Sequence, residues 1–223
     1  MKYHYDEFNK NEYESHRLAL GCIDPGSKIL DIGCATGYFA RQLTKKNCET
    51  WGVDNDKLAL KKASKYCKKV ILSNVDEVSS LTVPKKYFDY IVILDVIEHL
   101  RQPKNILSLA KHYLKDGGKI VISVPNIAHA SIRWMLLKGE FRYTTTGILD
   151  ETHVHFYTQK SIIDLLKKMG YKIIKIIPTN GMCKVPLLYI ITDRLPTSWQ
   201  YRLVELIPDL FSYQFIVEAD LIS

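Results

Sequence analysis

Short apolar runs rich in β-branched residues alternate with amphipathic stretches along the first half of the chain. The runs typical of strands are KILDIG, ETWGVD, VILSN, FDYIVILD and GKIVISVP, at positions 28–33, 49–54, 70–74, 88–95 and 118–125. The runs typical of helices are YFARQLTKK, DKLALKKASKYC and PKNILSLAKHYLK, at positions 38–46, 56–67 and 103–115. Alternation of this kind builds βαβ units, so it predicts a parallel sheet with helices on both faces.

The alternation stops after the fifth predicted strand. Segment 126–157 contains several aromatic residues and three histidines and predicts an insertion. A helix follows, with Thr158 or Gln159 near its N-cap and Gly170 as its C-cap. KIIKIIP and QFIVEADLI then predict two last strands that form an antiparallel edge, separated by the apolar, proline-containing segment 182–211.

The domain organisation follows from what the chain lacks. The sequence has 223 residues, which suits one domain, and no repeat, low-complexity segment or linker interrupts it. We predict a single domain over residues 1–223, made of a helical cap (1–27), a core (28–125), a substrate-side insertion (126–157), and a C-terminal helix, strands and candidate lid (158–223).

Charge and cysteine content change this prediction little. The net charge is +7, and much of it lies in the lysine-rich segment 56–69. A solvated helix is the simpler interpretation of those lysines, with attraction to a nucleic acid or an anionic membrane surface as the alternative. The start of the chain does not resemble a signal peptide, and no apolar run reaches the ~18 residues of a membrane span. The cysteines are odd in number and form no CxxC pair, which favours a reducing, cytoplasmic location: Cys22, Cys34, Cys48, Cys67 and Cys183.

The segment LDIGCATGY, positions 30–38, places glycines directly after a predicted buried strand. A strand that ends in an acid and is followed by a glycine turn and a helix is typical of a nucleotide site, because Gly33 and Gly37 permit tight backbone geometry and close approach of a ligand. The spacing differs from the dinucleotide fingerprint G-x-G-x-x-G, since Ala35 and Tyr38 stand where glycines are required. A pyrophosphate cradle is therefore disfavoured.

The same residues resemble the first motif, D-x-G-x-x-x-G, of class I S-adenosylmethionine-dependent methyltransferases. The resemblance implies an α/β, Rossmann-like fold with a seven-stranded, mostly parallel sheet and a reversed last strand. It also implies that S-adenosylmethionine is the cofactor and S-adenosylhomocysteine the product. The backbone around Gly33, Cys34, Ala35 and Gly37 would face the methionine part of the cofactor. Asp31 would pair with the ammonium group of that part, directly or through water.

Two further strand ends complete the predicted cofactor site. Asp54 ends the second strand, where a carboxylate accepts ribose hydroxyls in a methyltransferase or in an NAD enzyme, and Asn55 follows it. After the third strand, Asn74, Val75 and Asp76 are the candidates for adenine contacts. Either polar side chain fits that role, and Val75 offers backbone and apolar contact instead.

The resemblance extends from about Lys28 to Ile176. The segment GILDETHVHFYT is similar to a bacterial subgroup with an LD-x-T-H-x-R-F-F-T signature. That subgroup implies O-methylation of a small molecule, such as a sugar in glycan or polysaccharide biosynthesis. Membership of the superfamily alone does not fix the acceptor.

The candidate catalytic residues are His153, His155 and Asp95. The segment DVIEH also resembles the E-x-x-E-H element of metal-binding O-methyltransferases, such as those of ubiquinone biosynthesis. That resemblance implies a divalent ion, Mg²⁺, held by Asp95, Glu98, His99 and His153, although Asp95 replaces a glutamate. Three alternatives stay open: a metal site, a metal-free base at His153 or His155, and histidines with a structural role only.

The expected acceptor is an oxygen of a small molecule, with a sugar or a lipid-linked glycan favoured. No [DN]-P-P-[YFW] element follows the fourth strand, which disfavours DNA base methylation, and RNA is not an expected acceptor. The apolar C-terminal segment leaves peripheral membrane contact open. The rival functions are a quinone or phenol O-methyltransferase, an NAD-dependent oxidoreductase, and a non-catalytic cofactor-binding module.

Overall fold

The computed structural model describes residues 11–181 and 194–222. Cys183 and the start of the predicted helical cap lie outside the described residues, as do residues 182–193 of the predicted apolar segment. The strands are β1 (Lys28–Ile32), β2 (Glu49–Asp54), β3 (Lys69–Leu72), β4 (Phe88–Ile93), β5 (Leu114–Pro125), β6 (Tyr171–Asn180) and β7 (Ser212–Leu221).

These strands form one seven-stranded sheet in the order β3-β2-β1-β4-β5-β7-β6. The pairs β3–β2, β2–β1, β1–β4 and β4–β5 are parallel, and β7 runs antiparallel to both β5 and β6. The predicted parallel sheet with a reversed last strand is confirmed, as is the predicted antiparallel pairing of the last two strands.

Helices cover the sheet on both sides. They are α1 (Ser15–Gly21), α2 (Tyr38–Thr44), α3 (Lys57–Ala63), α4 (Pro103–Tyr113), α5 (Ala130–Leu137), α6 (Gln159–Lys168), α7 (Thr197–Leu206) and α8 (Pro208–Phe211), with a 3-10 turn at Ile97–His99. Within residues 11–181 and 194–222, none of the helices has the length and apolar character that crossing a bilayer requires.

The central strands are mostly apolar because both of their faces are buried. In β4, Tyr90 and Val92 pack in a cluster with Phe39 of α2, whereas Ile91 and Ile93 pack in the cluster that contains α4 and α6. Successive strand residues point to opposite faces, so a strand between two helix layers needs an apolar residue at nearly every position. This burial explains why the strand runs of the sequence are continuous rather than alternating.

The helix after the insertion begins as its sequence predicts. The Thr158 side chain accepts from the Ser161 backbone N–H, and the Ser161 hydroxyl accepts from the Thr158 N–H, which completes a capping box. The helix ends at Lys168, and Gly170 follows with φ of 77°, the left-handed conformation that glycine adopts without steric cost. The capped helix fixes the direction in which the chain returns to the sheet as β6.

Candidate active site

The strand order reverses between β1 and β4, so the loops that follow these two strands leave the sheet on opposite sides. The gap between them is the crevice in which α/β sheets of this kind bind ligands. The carboxyl ends of β1, β2 and β4 carry Asp31, Asp54 and Asp95. Three acids that lie far apart in the sequence are therefore brought to one edge of the sheet.

The loop after β1 is a turn tied to the end of β2. The backbone N–H groups of Gly33 and Cys34 donate to the Val53 carbonyl at 2.8 and 3.1 Å, and the Gly37 N–H donates to the Cys34 carbonyl at 2.8 Å. Gly33, Ala35 and Gly37 have φ of 79°, 45° and 77°. Since the left-handed region is costly for residues with a Cβ, the glycines allow this turn to form.

Neighbouring protein atoms account for the need for glycine in this turn. A Cβ on Gly33 would overlap Cγ2 of Val96, and a Cβ on Gly37 would lie 2.8 Å from the Cα of Ala63. The sequence analysis explained these glycines only by close approach of a ligand, whereas the fold adds a second reason, which is close packing within the protein. The turn must also fit against the loop after β4 and the C-terminal end of α3.

The Cys34 side chain points away from the crevice. It is buried in a small cluster with Ala40, Leu60, Ala63 and Cys67. Burial raises the pKa of the Cys34 thiol, which keeps it protonated and unreactive. At this position only the backbone remains to contact a cofactor.

Asp54 connects the loop after β1 with the loop after β2. Its Oδ2 accepts from the Ala35 N–H and its Oδ1 from the Asp56 N–H, both at 2.8 Å. A carboxylate oxygen has two acceptor positions, so these bonds orient the group and leave capacity for ribose hydroxyls. Asn55, beside it, is exposed to solvent.

Asp31 is a buried acid at the end of β1. Its side chain is 3% exposed, and its Oδ2 has no hydrogen-bond partner among residues 11–181 and 194–222. Burial raises the pKa of Asp31 to about 7, with the His16 side chain opposing the shift and the Asp54 carboxylate adding to it. An unpartnered buried carboxylate is costly, and a cationic ligand group would relieve that cost.

The three residues after β3 have different environments. Asn74 is exposed and accepts from the Asp76 N–H at 3.2 Å, whereas Val75 is buried in the main core. The Asp76 carboxylate accepts from the backbone N–H groups of Arg101 and Gln102 at 3.1 and 3.0 Å. Asp76 therefore fastens the loop after β3 to the start of α4.

Asp95 is fixed by side chains from neighbouring strands. Its Oδ1 accepts from the Ser123 hydroxyl at 2.6 Å and from the Gln214 amide at 2.8 Å, and its own N–H donates to the Ser123 oxygen at 2.8 Å. Its Oδ2 lies 3.9 Å from Nε2 of His16. These contacts hold the carboxylate on the β5–β7 side of the crevice.

A compact group of possible ligands forms next to the crevice. Among the described residues, one ligand atom from each of Glu98, His99 and His153 lies within 4.8 Å of the others. Asp95 is not part of this group, so the predicted four-residue metal set is corrected to three. The physical reason is the set of bonds from Ser123 and Gln214, which hold the shorter aspartate side chain elsewhere.

Both imidazoles in this group are oriented by backbone carbonyls. Nδ1 of His99 lies 3.2 Å from the Thr152 carbonyl oxygen, and Nδ1 of His153 lies 3.1 Å from the Ile148 carbonyl oxygen. A carbonyl only accepts, so each Nδ1 donates its proton there. When the His153 ring is neutral, its Nε2 presents a lone pair. Burial and the neighbouring His99 lower the pKa of His153, which favours its neutral form.

Glu98 is the buried member of the group. Its side chain is 1% exposed, and within the described part of the chain neither carboxylate oxygen has a hydrogen-bond partner. Burial, together with the Asp95 charge, raises the pKa of Glu98 well above its ordinary range. A proton, a cation or a donor on a ligand would each satisfy this carboxyl group.

The insertion is fastened to the same turn by its backbone. The N–H groups of Val154 and His155 both donate to the Glu98 carbonyl at 3.0 Å. This clamp brings His153 onto His99, but it turns His155 outward, where its Nε2 lies 3.4 Å from the Arg101 carbonyl oxygen. The structure therefore brings one of the two candidate histidines of the insertion to the group and not the other.

His16 of α1 is a site residue that the sequence analysis missed. It is buried, its Nδ1 lies 3.1 Å from Oε1 of Glu14, and its Nε2 makes a hydrogen bond with the Tyr38 hydroxyl. Although burial alone would lower the pKa of His16, its hydrogen bond with Glu14 and the charges of Asp95 and Asp31 raise it. The sequence offered only a weak indication, a glutamate two positions before a histidine.

Comparison with known proteins identifies the family of this chain. A family of methyltransferase domains matches residues 4–176. An uncharacterized protein of Methanocaldococcus jannaschii is 33% identical over 174 residues, which are 77% of this chain and 78% of that protein. A ubiquinone biosynthesis O-methyltransferase of Alkalilimnicola ehrlichii is 27% identical over 128 residues, which are 55% of this chain and 51% of that enzyme.

The fold is shared with solved structures. A SAM-dependent methyltransferase from Archaeoglobus fulgidus superposes with a TM-score of 0.60 at 22% identity, over 86% of this chain and 85% of that one. At this identity the likeness establishes the architecture, and the match over residues 4–176 establishes the family. The chain therefore belongs to the methyltransferase domain family, within the class I S-adenosylmethionine-dependent methyltransferases.

Proposed function

We propose that this protein transfers the methyl group of S-adenosylmethionine to a hydroxyl oxygen of a small molecule, with a sugar as the favoured acceptor. The observation that carries the proposal is the group formed by Glu98, His99 and His153 at the edge of the crevice. Methyl transfer is an in-line displacement, so the protein needs to orient the acceptor and remove its proton. This group supplies a proton acceptor in a buried setting.

Two acids at the strand ends hold the cofactor in this proposal. Asp31 receives the ammonium group of the methionine part, and Asp54 receives the ribose hydroxyls. The backbone N–H groups of Gly33, Cys34 and Gly37 already donate within the protein. We therefore assign the carboxylate of the methionine part to donors outside this turn.

His153 is the proposed base. Its Nδ1–H donates to the Ile148 carbonyl, which leaves the Nε2 lone pair for the acceptor hydroxyl, and its lowered pKa keeps that lone pair unprotonated near neutrality. Asp95, bonded to Ser123 and Gln214, has a positioning role in this proposal. His155 faces Arg101 and supports no catalytic role in this arrangement.

A divalent cation at the same group is the alternative to an unassisted base. The donor set fits an ion, because two oriented imidazoles and a buried carboxylate converge there. Two nitrogen donors suit Zn²⁺, Fe²⁺ or Mn²⁺ better than Mg²⁺, which prefers oxygen ligands. A bound ion would lower the pKa of the acceptor hydroxyl. In either version Glu98, His99 and His153 remain the residues at the acceptor oxygen.

We propose that the whole chain acts as one unit in the cytoplasm, and that peripheral membrane contact would serve a lipid-linked acceptor. A quinone or phenol acceptor is the second candidate, favoured by the relative in ubiquinone biosynthesis. The family match replaces the NAD-dependent alternative.

The first test is calorimetric titration of chelator-treated protein with S-adenosylhomocysteine. Asp54→Asn should weaken binding by about ten- to a hundredfold, because charge-assisted bonds to the ribose are lost. Asp164→Asn, an exposed aspartate of α6, is the matched control and should bind as the wild type does. Equal affinity of all three proteins would contradict the cofactor assignment.

The second test is transfer of a labelled methyl group to sugars and, separately, to catechols. His153→Ala should abolish turnover and leave S-adenosylhomocysteine affinity unchanged, whereas His112→Ala, an exposed histidine of α4, should be fully active. Retained turnover in His153→Ala would remove this residue as the base. Restoration of wild-type activity only by Zn²⁺ or Mn²⁺ after chelation would select the metal version.

A further inference from the structure

Three aromatic rings form a continuous surface that leads to His153. The Phe156 ring centroid lies 6.1 Å from that of His153, and the Phe141 centroid lies 6.2 Å from that of Phe156. Tyr143 lies 5.3 Å from Phe141 and 6.5 Å from Phe156, centroid to centroid. We call Phe141, Tyr143 and Phe156 the aromatic wall. At its inner end His153 packs against His99, so the wall is continuous with the group beside the crevice.

The outer part of the wall is open to solvent. Phe141 is 45% exposed and Tyr143 is 58% exposed, whereas Phe156 packs against the small core of the insertion. Edge-to-face contacts between the rings hold their orientation. Arg142, which lies between the two outer rings in the sequence, pairs with Glu140 at 3.3 Å, so charged groups belong to the same segment. Exposed apolar rings beside polar groups and a candidate base are typical of a ligand-binding surface.

The backbone that carries the wall is well fixed. Thr144 N–H donates to the Leu149 carbonyl at 2.8 Å, and Glu151 N–H donates to the Thr144 carbonyl at 2.9 Å. Asp150 is buried, and its Oδ1 accepts from both the N–H and the hydroxyl of Thr152 at 2.8 and 2.6 Å. The segment with the outer rings is thereby tied to the segment with His153. A surface that is preorganised in this way loses less entropy when a ligand binds.

We propose that the aromatic wall binds the ring of the methyl acceptor, and that the acceptor is a hydroxylated six-membered ring. The apolar face of such a ring would lie on Phe141 and Tyr143, and a hydroxyl at its edge would reach His153. A sugar, through its C–H face, and a phenol, through its π face, share this chemistry. The inference rests on the proposed methyl transfer for its direction, but binding to the wall is measured separately from transfer.

The test is saturation-transfer NMR on the full chain with S-adenosylhomocysteine present. The probes are the methyl glycosides of common hexoses in one series and catechol in another. The double variant Phe141→Ala/Tyr143→Ala removes the outer rings, and Tyr143→Phe keeps both rings in place. Trp199→Ala is the control, because Trp199 is 62% exposed on α7 and is not part of the wall.

We expect the wild type to bind at least one probe series and the double variant to lose about tenfold in affinity. Tyr143→Phe and Trp199→Ala should bind as the wild type does. The series that binds identifies the source of the ring. No binding of either series by folded wild type, or equal binding by the double variant, would overturn the inference. S-adenosylhomocysteine affinity, measured on the same proteins, reports on the proposed function and is expected to be equal in all of them.

Discussion

The imidazole rings of His99 and His153 pack edge to face, with their centroids 4.7 Å apart. His99 belongs to the turn after β4, and His153 to the insertion after β5. They meet because Val154 and His155 donate their backbone N–H groups to the Glu98 carbonyl. The contact joins the insertion to the edge of the cofactor crevice and creates the chemistry proposed for this protein.

Replacing Glu98 by Gln should make stability less dependent on pH. Burial raises the pKa of Glu98 above its unfolded value, so the folded protein loses stability as the pH rises above about 4.5 and through the folded pKa. Glutamine has no proton to lose. Denaturant unfolding of both proteins at a series of pH values should therefore show Glu98→Gln gaining relative to the wild type as the pH rises. A constant difference between the two proteins would contradict the assignment of a buried, protonated carboxyl.

Cofactor binding should depend on the ionisation of Asp31. Its pKa is raised to about 7 by burial, against the opposing effect of His16 and with a contribution from Asp54. The ammonium group of the ligand pairs with the ionised form, so below that pH binding must expel a proton. As the pH increases toward 7, the affinity for S-adenosylhomocysteine should increase by up to about tenfold per pH unit. Above pH 7 the affinity should level off.

Calorimetry in buffers of different ionisation enthalpy would count the proton that is released on binding. Asp31→Asn should bind more weakly and should lose most of the dependence on pH. If the wild type bound equally well on both sides of the expected pKa, Asp31 would not be the partner of the ammonium group.

Gly37→Ala should destabilise the protein by more than its backbone conformation alone explains. The new Cβ would lie 2.8 Å from Cα of Ala63, a backbone atom that moves little. Gly26→Ala is the control, since Gly26 has a similar φ of 75° and a Cβ there meets nothing within 4 Å. In both variants the left-handed conformation should lower the free energy of unfolding by about 1–2 kcal/mol.

Overpacking of α2 against α3 should add about 1–3 kcal/mol for Gly37→Ala only, measured as the free energy of unfolding. Equal losses in Gly37→Ala and Gly26→Ala would mean that the contact with Ala63 relaxes freely.

Asp76→Ala should weaken the fold more than it weakens cofactor binding. It removes the acceptor for the N–H groups of Arg101 and Gln102, at a cost of about 1–3 kcal/mol in the free energy of unfolding. We expect S-adenosylhomocysteine affinity to change by less than about threefold. Glu77→Ala, at the exposed neighbouring acid, should leave both quantities unchanged. A large loss of affinity at unchanged stability would instead place the Asp76 side chain on the adenine.

The placement of two acids at one edge of the sheet could be predicted because it depends on local sequence patterns. Asp31 and Asp54 lie at the carboxyl ends of two strands, and parallel strands bring these ends to one edge of the sheet. Contacts between segments that are distant in the chain could not be predicted from such local patterns. The Cys34 side chain turns into a small core, and Asp95 is held by Gln214, a residue of the last strand. No pattern near position 34 or 95 signals either contact.

Apolar periodicity and capping residues act within a few positions, so the sequence predicts the strands and the helices α2, α3, α4 and α6. The reversed last strand was an implication of the family resemblance, and the helices α5, α7 and α8 were not predicted. Which histidines lie at the candidate site depends on tertiary contacts. The tertiary structure brought His153 to Glu98 and His99, turned His155 toward Arg101, and placed His16 beside the crevice. These outcomes depend on hydrogen bonds between segments distant in the chain, and such bonds have no period that a sequence can display.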